Sequence, residues 1–180
     1  QYNDYAPELE DIIGEKLGFD FGWNPAQLVS CDLFPHFTPQ LVEHLDNGFD
    51  KYLNTDGVYI LQKKGAGSIP AEVDHLLKDR ESWEKEYLPK LTYSQDRFSQ
   101  KSYDYLKREE AKGNPVGLHC GSLCGRVRDL LGITELSYMT VDDEDLLAEI
   151  FDTIGNLCVK SVEQALQSDI HFDYAHFWED

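Results

Sequence analysis

Long apolar runs are missing from this chain. Among its 180 residues none approaches the roughly 18–20 consecutive apolar positions of a bilayer-spanning helix, and no basic-then-apolar secretory start is present. Basic residues are scarce too: 16 Lys and Arg stand against 34 Asp and Glu, a formal net charge of −18, so the average surface repels phosphates and anionic lipid. That argues against nucleic acid and membranes as partners. Cysteine is sparse, and Cys31, Cys120, Cys124 and Cys158 read as reduced thiols of a cytoplasmic protein rather than as a disulfide framework. There is no 20–50-residue repeat, no low-complexity tract and no Pro- or Ser-rich linker that would divide the chain. What is present is 41% apolar and 12% aromatic residues, an ordinary globular composition, and a length suited to a single domain over 1–180.

The apolar periodicity outlines the elements. Leu9, Ile12, Ile13 and Leu17, followed by Gly18, predict a short helix over about 7–17. The compact run from Ala26 to Phe34 predicts a buried strand, although Cys31 and Asp32 interrupt it. Asp56-Gly57 between two strand-prone runs predicts a hairpin over 49–64, and the GAGS stretch at 65–68 reads as a turn rather than a phosphate loop. A helix from Asp79 should stop at Pro89; another should start at the cap Ser99 and end at Gly113, before Pro115. After a strand in NPVGLHCG, a helix in CGRVRDLLG should end at Gly132. The longest helix should follow Asp142 to Asp145, with Leu146, Leu147, Ile150, Phe151, Ile154, Leu157, Cys158, Val162 and Ala165 as its apolar stripe. FDYAHFW closes the chain as a strand. Strands alternating with long helices predict an α/β fold with parallel βαβ units.

Strand ends carry ligand sites in such folds, and two are legible. In LHCGSLCGRVR, Gly121 and Ser122 sit where a strand turns into a helix, so backbone N–H groups could meet an anion and Arg126 or Arg128 could fork onto a carboxylate. The competing reading has both arginines paired with surface acids. His119, Cys120 and Cys124 offer zinc-type donors, but adjacent strand residues face opposite ways, which favours packed, reduced thiols. In HFWED, alternation places Phe172, Tyr174, His176, Trp178 and Asp180 on one face and Asp173, Ala175, Phe177 and Glu179 on the other; a bend at the strand end would bring the Glu179 and Asp180 carboxylates to the rim for proton transfer.

With those stretches in view, the chain resembles the uroporphyrinogen decarboxylase superfamily, which includes cobamide-dependent methyltransferases. The likeness is densest in GNPVGLHCGSLCGRVRDLLGITELSYMTVDDEDLLAEI and FDYAHFWED, and weaker through GVYILQKKGAGSIPAEVDHLLKDRESWEKEYLPKL. It implies a portion of a (β/α)8 TIM-type barrel, about three parallel barrel strands with long helices plus a small β-hairpin, in an internal or N-terminal piece of a larger enzyme and inactive alone. The methyl-transferring branch is favoured, because the Arg-rich signature that grips an acidic tetrapyrrole in the decarboxylases has no counterpart here. The resemblance then implies Glu179, Asp180 and His119 as catalytic rim groups, Ser122, Arg126 and Arg128 as holders of an anionic small-molecule substrate, and no metal in this piece. A corrinoid, zinc and a corrinoid protein become candidate cofactors and partner of the parent. Tetrapyrrole decarboxylation is the first alternative; a non-catalytic part-barrel that binds a partner or self-associates as a homodimer is the next, and a zinc-binding module the last.

Overall fold

A computed structural model describes residues 12–14, 16–18, 25–63, 65 and 69–179. Of the helix expected over about 7–17, residues 12–14 and 16–17 are helical; 7–11 and 15 lie outside the described residues, as do 66–68 of the GAGS turn and Asp180.

The largest sheet is antiparallel. Strands β1 (Gln40–His44), β2 (Phe49–Leu53), β3 (Val58–Lys63) and β4 (Ala71–His75) pair in that order, each with the next. The β2–β3 turn is the expected hairpin: Asn54 Oδ1 accepts from the N–H groups of Asp56 and Val58, and Gly57 takes φ +79° with Tyr87 Oη against the space a Cβ would need. β1 and β4 extend the hairpin into a meander with little apolar content of their own; every residue of β1 is exposed.

Among the described residues parallel pairing is confined to a smaller unit. β5 (Gly117–His119) pairs with β6 (Tyr174–His176) in register, and a single parallel bridge joins Ala26 to Leu118. This overturns the expected barrel portion: four of the six strands among the described residues lie in an antiparallel sheet, and no set of parallel barrel strands forms. The run 26–34 is not a continuous strand: it makes one bridge to a strand, Ala26 with Leu118, and one, from Val29, to Phe98, which lies outside the strands. Its carbonyls are diverted elsewhere, as described below.

The helices follow their sequence signals more closely. α1 (Gln100–Lys112) starts where Ser99 Oγ accepts the Ser102 N–H and ends at Gly113 in the left-handed region. α2 (Cys124–Asp142) is broken at Gly132, whose φ 74° and ψ 155° are non-helical, and then resumes. A Cβ there would lie 2.6 Å from the His75 ring, so the close approach of β4 requires glycine. α3 (Glu144–Ala165) begins with the Asp143 carboxylate accepting the Leu146 N–H and buries Leu146, Leu147, Ile150, Ile154 and Leu157. The stretch from Asp79 is shorter and less regular than expected: one α-turn over Arg80–Ser82, a π-turn over Trp83–Tyr87 and a 3-10 turn over Leu88–Lys90. It still buries Trp83 and Tyr87 completely, and the Trp83 indole donates to Glu149 at 2.9 Å.

Two apolar clusters hold these parts together. One lies between α2, α3 and the 77–91 segment around Trp83, Leu130 and Ile150; the other surrounds β5 with Leu28, Val29, Leu106, Val116, Leu118 and Ile170. No helix among the described residues is long and apolar enough to cross a membrane.

Candidate active site

Three segments of chain end at one place. The extended segment after Ala26, β5 and β6 run parallel, and residues at or beyond their ends line a cleft of about 250 Å3: Cys31 and Asp32, then His119, Gly121 and Ser122, then Trp178, with Arg126 and Asp129 from α2. Backbone bonds continue past β5 and β6, from Cys120 N–H to His176 O at 2.8 Å and from Trp178 N–H to Gly121 O at 3.1 Å, which fixes the rim.

His119 and His176 are partners across the parallel ladder, so their rings leave the same face. Their Nδ1 atoms lie 3.1 Å apart, with the rings inclined by 33° and Trp178 edge-on to His176. One Nδ1 carries the shared proton and the other accepts it, because two N–H groups cannot point at each other at that distance. Burial, reinforced by His176 and opposed by Asp32, holds His119 below the usual imidazole range. Held in this way, the His119 imidazole favours its neutral form, which can take up a proton.

The expected anion cradle exists but is filled from within. Glu179 accepts from the Leu123 N–H and, at 3.1 Å, from the Gly125 N–H, so its carboxylate occupies the start of α2. Ser122 Oγ accepts the Arg126 N–H at 3.0 Å and completes the same helix start. Ser122 lines the cleft, and both residues are engaged in capping α2. Asp180 lies outside the described residues.

Arg126 crosses the cleft wall. Its Nη2 donates to Asp56 at 2.8 Å, its Nε lies 3.7 Å from Asp32, and its side chain is only 11% exposed. Nε is buried and has no hydrogen-bond acceptor. Arg128 pairs with its neighbour Asp129 at 2.8 Å and does not line the cleft, so the two arginines do not form a joint clamp.

The zinc donors do not converge. Cys120 packs among the residues around β5 with its thiol donating to Leu118 O, Cys124 is exposed on α2, and His119 turns to His176. Among the described residues no group of three or more His, Cys, Asp and Glu is placed to hold a metal.

Asp32, Cys31, His176 and Arg97 were not anticipated as site residues. Arg97 is 2% exposed and donates only to main-chain carbonyls: Ser30, Asp32, Lys90 and Thr92. It bends the 30–32 segment away from strand pairing and sets Asp32 at the cleft. The signal available in the sequence was Asp32 itself, a charged residue interrupting an apolar run. Comparisons with protein-family models, with curated proteins and with solved structures gave no match.

Proposed function

We propose that the cleft is the substrate site of an enzyme akin to the methyl-transferring members of the uroporphyrinogen decarboxylase superfamily, acting on a small molecule whose nucleophilic oxygen or sulfur is deprotonated as it accepts a methyl group. The observation that carries the proton-handling part is the His119–His176 pair, 3.1 Å apart at the end of a parallel ladder, of which His119 lines the cleft. Methyl transfer to an acceptor R–XH forms the X–C bond, breaks the bond to the methyl donor and leaves one proton; the neutral pair is placed to receive it.

Two features favour this reading over tetrapyrrole decarboxylation. Arg126 is already engaged by Asp56, and Asp32 and Asp129 add negative charge, so the cleft suits a neutral acceptor better than a polycarboxylate. Its volume of about 250 Å3 falls below the range of roughly 300–1,000 Å3 that encloses drug-sized ligands.

Neither zinc nor a corrin fits within the residues described. The candidate zinc donors diverge, and the cleft is too small to enclose a macrocycle. A methyl donor on a corrinoid must reach the cleft from a partner protein at its mouth, and the residues here hold the acceptor and its proton.

The test is transfer from methylcobalamin to a panel of thiol and phenol acceptors by the full-length protein, with methylated product read by mass spectrometry. Product is expected, with His119→Asn and His176→Asn each lowering the rate by about 10²-fold, the usual worth of a positioned proton acceptor. No methylated product with any acceptor overturns the assignment.

A further inference from the structure

Beneath the histidine pair lies a second chemical group that the methyl-transfer reading does not use. Cys31 is 4% exposed, and what it exposes lies in the cleft wall. Cys158 reaches the same point from α3. Between them stands Gly121 at φ +97°, where a Cβ would lie 2.6 Å from Cys158 Sγ and 3.4 Å from Cys31 Cβ. Only glycine lets both thiols close under the end of β5.

The surroundings of the two sulfurs differ. Hydrogen bonds from Cys158, Ser161 and Gln27 favour the anionic form of Cys31, against burial and the Asp32 carboxylate, and the balance lowers its acid range. Cys158 is driven the other way by Cys31, by burial and by Asp32. A geometric feature points the same way. The buried Arg97 guanidinium gives its hydrogen bonds to carbonyls alone, including Ser30 and Asp32 on either side of Cys31, so a full positive charge sits behind this thiol without a hydrogen-bonded carboxylate. In front, the Arg126 Nε–H is buried in the cleft wall with no acceptor.

We propose that Cys31 is a nucleophilic sulfur that takes an alkyl group from a small carbon electrophile admitted to the cleft, with Cys158 as its hydrogen-bonding partner and Arg126 Nε as the donor to the leaving group. The step balances as Cys31–SH plus R–X giving Cys31–S–R, X⁻ and one proton: the sulfur lone pair forms the S–C bond, the C–X bond breaks with its electron pair going to X, and the thiol proton leaves to solvent. It is independent of the methyl-transfer reading, since it needs neither a corrinoid nor turnover.

Timed labelling with iodoacetamide and with iodomethane between pH 6 and 9, mapped by peptide mass spectrometry, tests it, and the exposed Cys124 is the reference thiol in the same molecule. At pH 7 Cys31 is expected to react about tenfold faster than Cys124 despite its burial, because thiolate content governs the rate. Cys158→Ala should slow Cys31 about tenfold at pH 7 and move its pH–rate midpoint upward, with Cys124 unchanged. A Cys31 rate below that of Cys124 at every pH overturns the proposal, as does an unaltered Cys31 rate in a folded Cys158→Ala. If that variant unfolds, shown by rapid labelling of buried Cys120, the Cys31-to-Cys124 ratio in the unsubstituted protein decides alone. Failure here leaves the His119–His176 assignment standing, and failure of methyl transfer leaves this one.

Discussion

The antiparallel meander and the parallel unit are built from different kinds of information. In the meander each strand pairs with its chain neighbour, so short turns such as Asn54–Gly57 set the register and little apolar content is needed; of its strand residues only Leu53 and Val58 are buried. The parallel unit brings together residues 26, 117–119 and 174–176, which no local turn could do. Burial of β5 replaces the turn: Leu28, Leu106 and Ile170 pack with its Leu118, and Asp173 clamps its entry through Val116 N–H at 2.8 Å. Chemistry gathers in the second region because only long-range closure sets a histidine, a cysteine and a carboxylate from distant parts of the chain around one cleft.

The contrast is broken most severely at Arg97. Arg97→Ala strips hydrogen bonds from four inward-facing carbonyls and should cost on the order of 3–5 kcal/mol, read as a fall in the urea midpoint at unchanged slope. Amide exchange should rise first at 26–32 and 117–119 and last in β2–β3. Equal loss of protection in both regions would mean that they unfold as one unit. Next comes Gly117→Ala. Its Cβ would run into the Tyr174 ring inside the parallel ladder, an overpacking penalty of about 1–3 kcal/mol. Nothing lies within 4 Å of the position a Cβ would take at Gly48, in the β1–β2 turn, so Gly48→Ala meets only the strain of its positive φ. A larger midpoint shift for Gly48→Ala than for Gly117→Ala would show that local turns matter more than the ladder.

The same division explains what the sequence disclosed. The α3 stripe, the Ser99 cap, the Gly113 terminus and the Asp56-Gly57 turn are local patterns, and each recurs in the structure as read. β1 and β4 were missed because mostly exposed edge strands carry no alternation of apolar residues. The run 26–34 looked like a strand because burial, not pairing, set its composition; Arg97, more than 60 residues away, claims its carbonyls. Within the site, His119, Ser122, Arg126 and Glu179 could be picked out from their places at strand and helix ends. Their partners could not, since Glu179 reaching the Leu123 N–H and Arg126 reaching Asp56 are products of closure. The expectation of parallel βαβ units failed for a related reason: alternating strand and helix signals count elements but do not say which strands pair.

A smaller perturbation tests how firmly the two regions are joined. Asp56 in the meander's turn holds Arg126 on α2 at 2.8 Å. Asp56→Asn keeps an acceptor but removes the charge, and should cost about 1 kcal/mol while loosening β2–β3 in amide exchange and sparing β5–β6. The least costly test is pH. Because His119 is held below its unfolded range chiefly by burial, the unfolded chain binds more protons as pH falls through about 6.5, so this group withdraws stability from there down to its folded value and contributes no penalty above it. His176 adds to the effect and Asp32 opposes it. Urea midpoints of the unsubstituted protein and of His119→Gln, taken at pH 7.5 and 5.5, isolate it from the carboxylates common to both. The unsubstituted protein should lose more stability on acidification than the variant; an equal loss, or a greater one in the variant, means that burial does not hold His119 below its unfolded range.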